Sequence, residues 1–275
     1  MKTAGIIGGT GKMGRLFAGV FARAGYEVLV SGRTTALSAT DLAERCSLVI
    51  ISVPIRDTIR VIEEIALVLT KDTLLCDLTS LKVAPVAAML RTKARVLGLH
   101  PMFGPTVRSL AGQTIIACPA RCRKKDCDTL LSIFRAEGAA CTIATPEAHD
   151  RMMAVVQGLT HFVTLCMAES VRRIGLDISE TRAFTSPVYQ IELALVGRLL
   201  AQDPDLYADI LQQNPFVPEV LDACQASTAD LAGIVAAQDP DRFHAFFERN
   251  TRHFGKYCRE GLEATDTLIE CMVRR

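Results

Sequence analysis

The run Ile6-Ile7-Gly8-Gly9-Thr10-Gly11-Lys12-Met13-Gly14 sets Gly9, Gly11 and Gly14 in a G-x-G-x-x-G spacing. It directly follows the apolar stretch Thr3–Ile7. Helical spacing then runs from Lys12 to Ala24, with Met13, Leu16, Phe17, Val20 and Phe21 on one side. Between a strand and a helix the three glycines meet three needs. Gly9 permits the tight turn, Gly11 lets the backbone approach a pyrophosphate, and Gly14 lets the helix pack closely on the strand. The helix start would then offer free N–H groups and a positive dipole end to phosphates. Gly9, Thr10, Gly11, Lys12, Met13 and Gly14 are therefore expected to cradle a dinucleotide.

Downstream, apolar runs and helical stretches alternate. Strands are expected at Tyr26–Val30, Leu48–Val53, Thr73–Cys76, Arg95–Leu99, Gln113–Cys118 and Ala140–Ile143, and helices at Asp57–Leu69 and Lys124–Ala136. Such alternation implies parallel βαβ units with both sheet faces covered. From Pro146 onward the period is helical throughout. The expected fold is α/β, with a Rossmann-type, doubly wound, mostly parallel sheet over residues 1–145. An all-helical domain over 146–275 follows, placed against the sheet or a second subunit.

Thirty-one Lys and Arg balance 30 Asp and Glu, so the net charge of +1 excludes a polyanion-binding footprint. Hydrophobic residues make up 49% and charged ones 22%, enough for a large core. The ten Cys include no CxxC pair, and Cys118, Cys122 and Cys127 match no familiar zinc spacing, so no metal is expected. Free thiols fit a reducing cytoplasm. No signal peptide is visible. The uncharged stretch between Arg151 and Glu169 falls short of a bilayer span of roughly 20 residues and reads as a buried helix, so neither membrane nor nucleic acid is expected as a partner.

Cofactor choice is read after the second strand, in Val30-Ser31-Gly32-Arg33-Thr34-Thr35. The acid that would hold ribose hydroxyls is missing. Ser31, Arg33 and Thr34 offer hydroxyls and a guanidinium that suit a 2′-phosphate, which favours NADP, with NAD as the alternative. Ser52, Val53 and Pro54, after the third strand, complete the expected cofactor set.

Three segments bear chemistry: Asp77-Leu78-Thr79-Ser80-Leu81-Lys82, Gly98-Leu99-His100-Pro101-Met102-Phe103-Gly104-Pro105, and His149-Asp150 with Gln157 to Phe162. Pro101 biases His100 toward extended backbone at a strand end, where its ring can meet the crevice as a base titrating near neutrality. Ser80 could orient that ring, hold substrate or cap a helix. His161 falls one turn after Gln157 on an apolar helix, where a satisfied core histidine is the competing reading. The helix Val188–Ala201 carries only Glu192 and Arg198, about 120° apart at 3.6 residues per turn. Arg198 shares its stripe with Ile191, Ala194 and Leu195, so it needs a carboxylate from the protein or a substrate.

In these residues the chain resembles the prephenate dehydrogenases, nearly end to end. The resemblance is carried by the glycine loop, the Asp77–Lys82 and Gly98–Pro105 runs, Glu147 to Phe162, and Ser186-Pro187-Val188-Tyr189-Gln190-Ile191-Glu192 through Gly197-Arg198 and Gln202 to Ile210. It is nearest to the dehydrogenase half of fused chorismate mutase–prephenate dehydrogenases; no mutase helix precedes the first strand, so that activity is not expected. The resemblance implies NAD(P)-dependent oxidative decarboxylation of prephenate to 4-hydroxyphenylpyruvate in tyrosine biosynthesis. His100 would be the catalytic base and Ser80 part of its network, with Arg198 on a substrate carboxylate. His161, Gln157 and Thr79 would line the substrate pocket, and the helical domain would form a homodimer. Gln190 stands where close relatives tend to carry arginine. Arogenate as substrate, or another NADP-linked hydroxyacid or imine oxidoreductase, stays open, as does a non-enzymatic nucleotide sensor.

Overall fold

The structure, a computed structural model, describes residues 2–273. Its first elements are β1 (Thr3–Ile7), α1 (Lys12–Arg23), β2 (Glu27–Ser31), α2 (Ala39–Arg45), β3 (Leu48–Ile51), α3 (Ile55–Ile65), β4 (Leu74–Asp77) and α4 (Val83–Leu90). They continue with β5 (Arg95–Pro101), β6 (Thr114–Arg121), α5 (Lys124–Ala136) and β7 (Ala140–Ile143). The seven strands form one sheet in the order β2-β1-β3-β4-β5-β6-β7. The central strands β1, β3, β4 and β5 are buried on both faces, so they read as near-continuous apolar runs. Ile6 and Ile50 face a core with Phe17, Phe21 and Phe134; Ile7 and Ile51 face the opposite core with Leu42, Ile62, Ile65 and Met89.

The fold class is the one expected, with one exception to parallel pairing: β6 runs antiparallel to β5. The connection between them contains no helix, and a parallel crossover needs a dozen or more residues, usually helical. Two helices escape the hydrophobic pattern. Helix α2 is set by a capping box in which the Ser38 hydroxyl accepts from Asp41 N–H and the Asp41 carboxylate from Ser38 N–H. Helix α4 is short and nearly all apolar, so it shows no polar face.

In-register pairing puts Ile7, Ile51, Asp77 and Gly98 in one row across β1, β3, β4 and β5. The carboxyl ends of these four strands therefore share one sheet edge. The strand order reverses at β1, the switch point where open α/β sheets bind ligands.

Beyond β7 come α6 (Pro146–Met153), a π-helical segment (Ala154–Leu159), α7 (Thr160–Ile174), α8 (Ile178–Ala183), α9 (Pro187–Leu200), α10 (Pro204–Gln213), α11 (Val217–Ala236), α12 (Pro240–Phe254) and α13 (Tyr257–Val273). The chain forms two compact units. One is Met1–Gln157 with Asp205–Phe216; the other is Gly158–Pro204 with Val217–Arg275. The expected boundary at 145–146 marks the start of α6, yet α6 packs on α4 and β6 within the nucleotide unit. Helical period alone cannot tell which neighbour a helix chooses.

In the helical unit only Leu199, Val217 and Ile234 are buried among the described apolar side chains. Helix α7 has no buried residue, which corrects the expectation of a core helix there. The continuous helix Pro146–Ile174 is also long and apolar enough, by length and composition, to cross a membrane. Phe184, Phe247 and Leu262 are more than half exposed.

The positive φ of the glycine loop lies at Gly8 (+80°), where a Cβ would sit 2.2 Å from the Ser52 carbonyl oxygen. Gly25 has nearly the same φ (+81°) just after the end of α1, with open space around it. Gly25→Ala should cost about 1–2 kcal/mol, the left-handed penalty alone. Gly8→Ala should cost clearly more in urea denaturation, because backbone must move. Equal losses would contradict this account of the loop.

Candidate active site

The glycine loop lies at one end of the sheet edge, between β1 and α1. Gly11 is the N-cap of α1, with no side chain capping the helix and no acid in the first turn. The first amides of α1 are thus left for an anion. A Cβ on Gly11 would meet only the Gly8 carbonyl, at 3.2 Å, whereas one on Gly14 would lie 2.5 Å from the same oxygen. Gly11 therefore leaves room for a ligand and Gly14 seats the helix. The tight turn belongs to Gly8 rather than to Gly9, whose Cβ would strike Val30 of β2. Ser52, Val53 and Pro54 follow β3 beside this loop, Ser52 N–H donating to the Ile7 carbonyl at 2.8 Å.

Ser31, the last residue of β2, is buried, and its carbonyl accepts from Gly8 and Gly9 N–H. Its side chain is thus less available than expected. Arg33 and Thr34 are exposed, and Arg33 has no ion pair among the described residues. No acid occurs from Ser31 to Thr40. The loop is closed by Thr35, whose hydroxyl accepts from Gly32 N–H at 2.9 Å.

At the β4–β5 end of the edge, a hydrogen-bonded chain joins residues far apart in sequence. His100 Nδ1 lies 2.8 Å from His149 Nε2, and His149 Nδ1 lies 2.7 Å from Asp150 Oδ1. The Asp150 carboxylate also accepts Lys82 N–H and Val83 N–H, each at 2.8 Å, at the start of α4. All three side chains are buried. A carboxylate accepts only, so His149 donates from Nδ1 and accepts at Nε2, and His100 donates from Nδ1. Its Nε2 is left as a lone pair, 3.5 Å from the Gln157 side-chain nitrogen. Burial, then His149, then the Lys82 ammonium hold the His100 pKa well below the ordinary histidine value. The ring is a neutral acceptor kept ready for a proton.

Beneath it lies a buried ion pair. The Lys82 ammonium donates to Asp77 Oδ2, to the Leu99 carbonyl (2.8 Å) and to the Thr79 hydroxyl (3.3 Å). Thr79 is buried, its hydroxyl 2.5 Å from Asp77 Oδ2 and 2.8 Å from the Leu81 carbonyl. The structure thus corrects Thr79 from a ligand-facing residue to a brace of this pair. Ser80 is half-buried and, among the described residues, makes no side-chain hydrogen bond; the His100 ring is held by His149 and Gln157 instead. The N-cap of α4 is Lys82, so Ser80 is not a cap either.

Gln157 sits in the π-helical segment, its Oε1 buried without a partner. Such segments widen a helix locally and recur at functional sites. His161 and Arg198 belong to the helical unit. Burial lowers the His161 pKa. Arg198 is exposed and has no ion pair among the described residues, so the expected desolvation that would force a partner on it is absent. Gln190 lines an apolar cavity of about 1520 Å³ in that unit, with Leu165, Val171, Ile178 and Leu200. Among the described residues no group of three or more His, Cys, Asp or Glu is placed to hold a metal ion.

Residues 29–143 match the nucleotide-binding domain of prephenate dehydrogenase, and residues 145–249 match its dimerization domain. The chain belongs to the prephenate dehydrogenase family. A probable arogenate/prephenate dehydrogenase of Methanocaldococcus jannaschii is 32% identical over 97% of this chain and 64% of its own length. The T-protein of Haemophilus influenzae is 33% identical over 96% of this chain and 70% of its own. This chain thus spans about two thirds of these relatives. Among solved structures, prephenate dehydrogenase from A. aeolicus, in complex with hydroxyphenyl propionate and NAD+, superposes with a TM-score of 0.73. It covers 92% of this chain and 97% of that one at 20% identity, a likeness of fold.

The tautomers make a direct prediction. In ¹⁵N-histidine NMR of the free protein, His100 should be neutral and protonated at Nδ1 at pH 6, about half a unit below an ordinary histidine pKa. Asp150→Asn should disturb that state. An imidazolium, or a proton on Nε2, would contradict the chain of bonds described above.

Proposed function

We propose that the protein is an NADP-dependent prephenate dehydrogenase that carries out oxidative decarboxylation to 4-hydroxyphenylpyruvate. The observation that carries the reading is the lone pair on His100 Nε2, fixed by His149 and Asp150 at the sheet edge that also holds the glycine loop.

The nicotinamide, when bound to the α1 loop, supplies the hydride acceptor. His100 Nε2 takes the proton of the ring hydroxyl as the carbinol C–H bond breaks. The positive charge it gains is shared through His149 with the Asp150 carboxylate, the arrangement that serves other histidine bases. The carboxylate then leaves as carbon dioxide, its bonding electrons completing the aromatic ring. The oxygen, now phenolic, takes the proton back from His100. Gln157 lies against the same nitrogen and must yield that place to the substrate hydroxyl. The free Ser80 hydroxyl and His161 serve the substrate, and the exposed Arg198 guanidinium its carboxylate. Arg33 and Thr34 receive the 2′-phosphate of NADP, a role supported by the missing acid after β2. The match of residues 145–249 to a dimerization domain, with the exposed apolar side chains of the helical unit, supports a homodimer, and the free cysteines fit a cytoplasmic protein.

One assay tests the reading: prephenate and arogenate crossed with NADP and NAD, on wild type and three variants. Wild type should turn over prephenate fastest with NADP. His100→Asn should lose roughly 10²–10⁴-fold in kcat. Arg33→Ala should raise the KM for NADP more than that for NAD. Arg198→Gln should raise the KM for prephenate with an unchanged Tm. A His100→Asn enzyme within threefold of wild type would refute the mechanism. Preference for arogenate or for NAD would replace that part of the assignment.

A further inference from the structure

The segment Asp205–Phe216 lies in sequence among the helices of the second half but is built into the nucleotide unit. Arg56, in the first turn of α3, bonds Asp209 Oδ2 through Nε at 3.0 Å and Asp205 Oδ2 through Nη1 at 2.8 Å. Ile210 is buried with Ile55 and Leu81. At the far end Asn214 is 2% exposed, and its Nδ2 donates to the backbone carbonyl of Asp150 at 2.8 Å. Its Oδ1 accepts from Phe216 N–H at 3.0 Å, and the Arg151 guanidinium lies 4.3 Å from the Phe216 ring. The segment is thus pinned at both ends, and Asn214 has both polar atoms engaged.

The carbonyl that Asn214 holds has a particular place. It also accepts from Ala154 N–H, the first residue of the π-helical segment. Asn214 therefore grips a carbonyl of the last turn of α6, just before the widened turn that carries Gln157. It grips the backbone of the residue whose side chain ends the His100–His149–Asp150 chain. The Asp150 carbonyl is thus held from two sides, by Ala154 N–H along the helix and by Asn214 from the 205–216 segment. We infer that Asn214 is a positioning residue for the His100 base, and that the 205–216 segment acts as a strap setting the relay against the start of α4. The inference rests on the reading of His100 as the base.

Asn214→Ala tests it without adding a charge beside the His100–His149–Asp150 chain. It removes the donor facing the Asp150 carbonyl. A displaced Asp150 supports the His100 imidazolium less well. The acidic limb of the kcat/KM profile should move to lower pH, and kcat should fall about 10–100-fold, the scale for misplacing a reacting group. KM for substrate and cofactor should stay within threefold. Should that variant not accumulate, Asn214→Leu carries the same criteria. A lower Tm with the acidic limb unmoved would mean a merely structural residue and would overturn the inference, as would an unchanged kcat. His100→Asn, run in parallel, separates the failures. If it keeps the wild-type acidic limb, the base reading itself falls. If it abolishes the limb while the Asn214 variants leave it in place, only the strap falls.

Discussion

The bond between His100 Nδ1 and His149 Nε2 joins two distant stretches of the nucleotide unit's chain. His100 comes from the tip of β5, His149 from α6, and neither is useful alone. A buried imidazole with no oriented partner could donate or accept at either nitrogen. Here the Asp150 carboxylate, pinned by two amides at the start of α4, dictates the proton pattern outward through His149 to His100. Burial above all, then His149 and the Lys82 ammonium, disfavour a positive charge on His100 and so keep it neutral until a proton is delivered. The sheet register brings this machinery to the edge that carries the Gly8–Gly14 loop, because the strands between are parallel and in step.

Part of this is legible in the sequence. The glycine spacing, the alternation of strand and helix, and the missing acid after β2 are local signals, each decided within a few residues. His100 stands out because Pro101 forces an extended backbone on a titratable side chain. The His149–Asp150 pair can be marked as chemically notable, but not its role. Its partner lies 49 residues away, and no local pattern encodes a contact of that range. The same holds for Thr79, whose hydroxyl looks ligand-facing until the Asp77–Lys82 pair is seen around it. The spacing rule puts the turn glycine one position too late, because it does not reveal that Ser52 closes on Gly8.

The helical half shows a different limit. Its apolar residues recur at helical spacing as a core helix would show them, yet in the single chain they are mostly uncovered. Periodicity reports that a face is apolar, not what covers it. Residues 145–249 match a dimerization domain, and a second copy is the cover proposed for these faces. Arg198 is likewise marked by its contrast with an apolar helix, although the guanidinium proves exposed rather than buried.

One neutral histidine, held by a carboxylate through a second histidine, is proposed to set the pH dependence of catalysis. The most direct measurement is kcat/KM for prephenate across pH in wild type and Asp150→Asn. A single acidic limb below the ordinary histidine pKa is predicted for wild type, displaced to lower pH in the variant, where no carboxylate charge balances the His100 imidazolium. A limb at the same pH in both proteins would show that the titrating group is not part of this chain of bonds and would contradict the account.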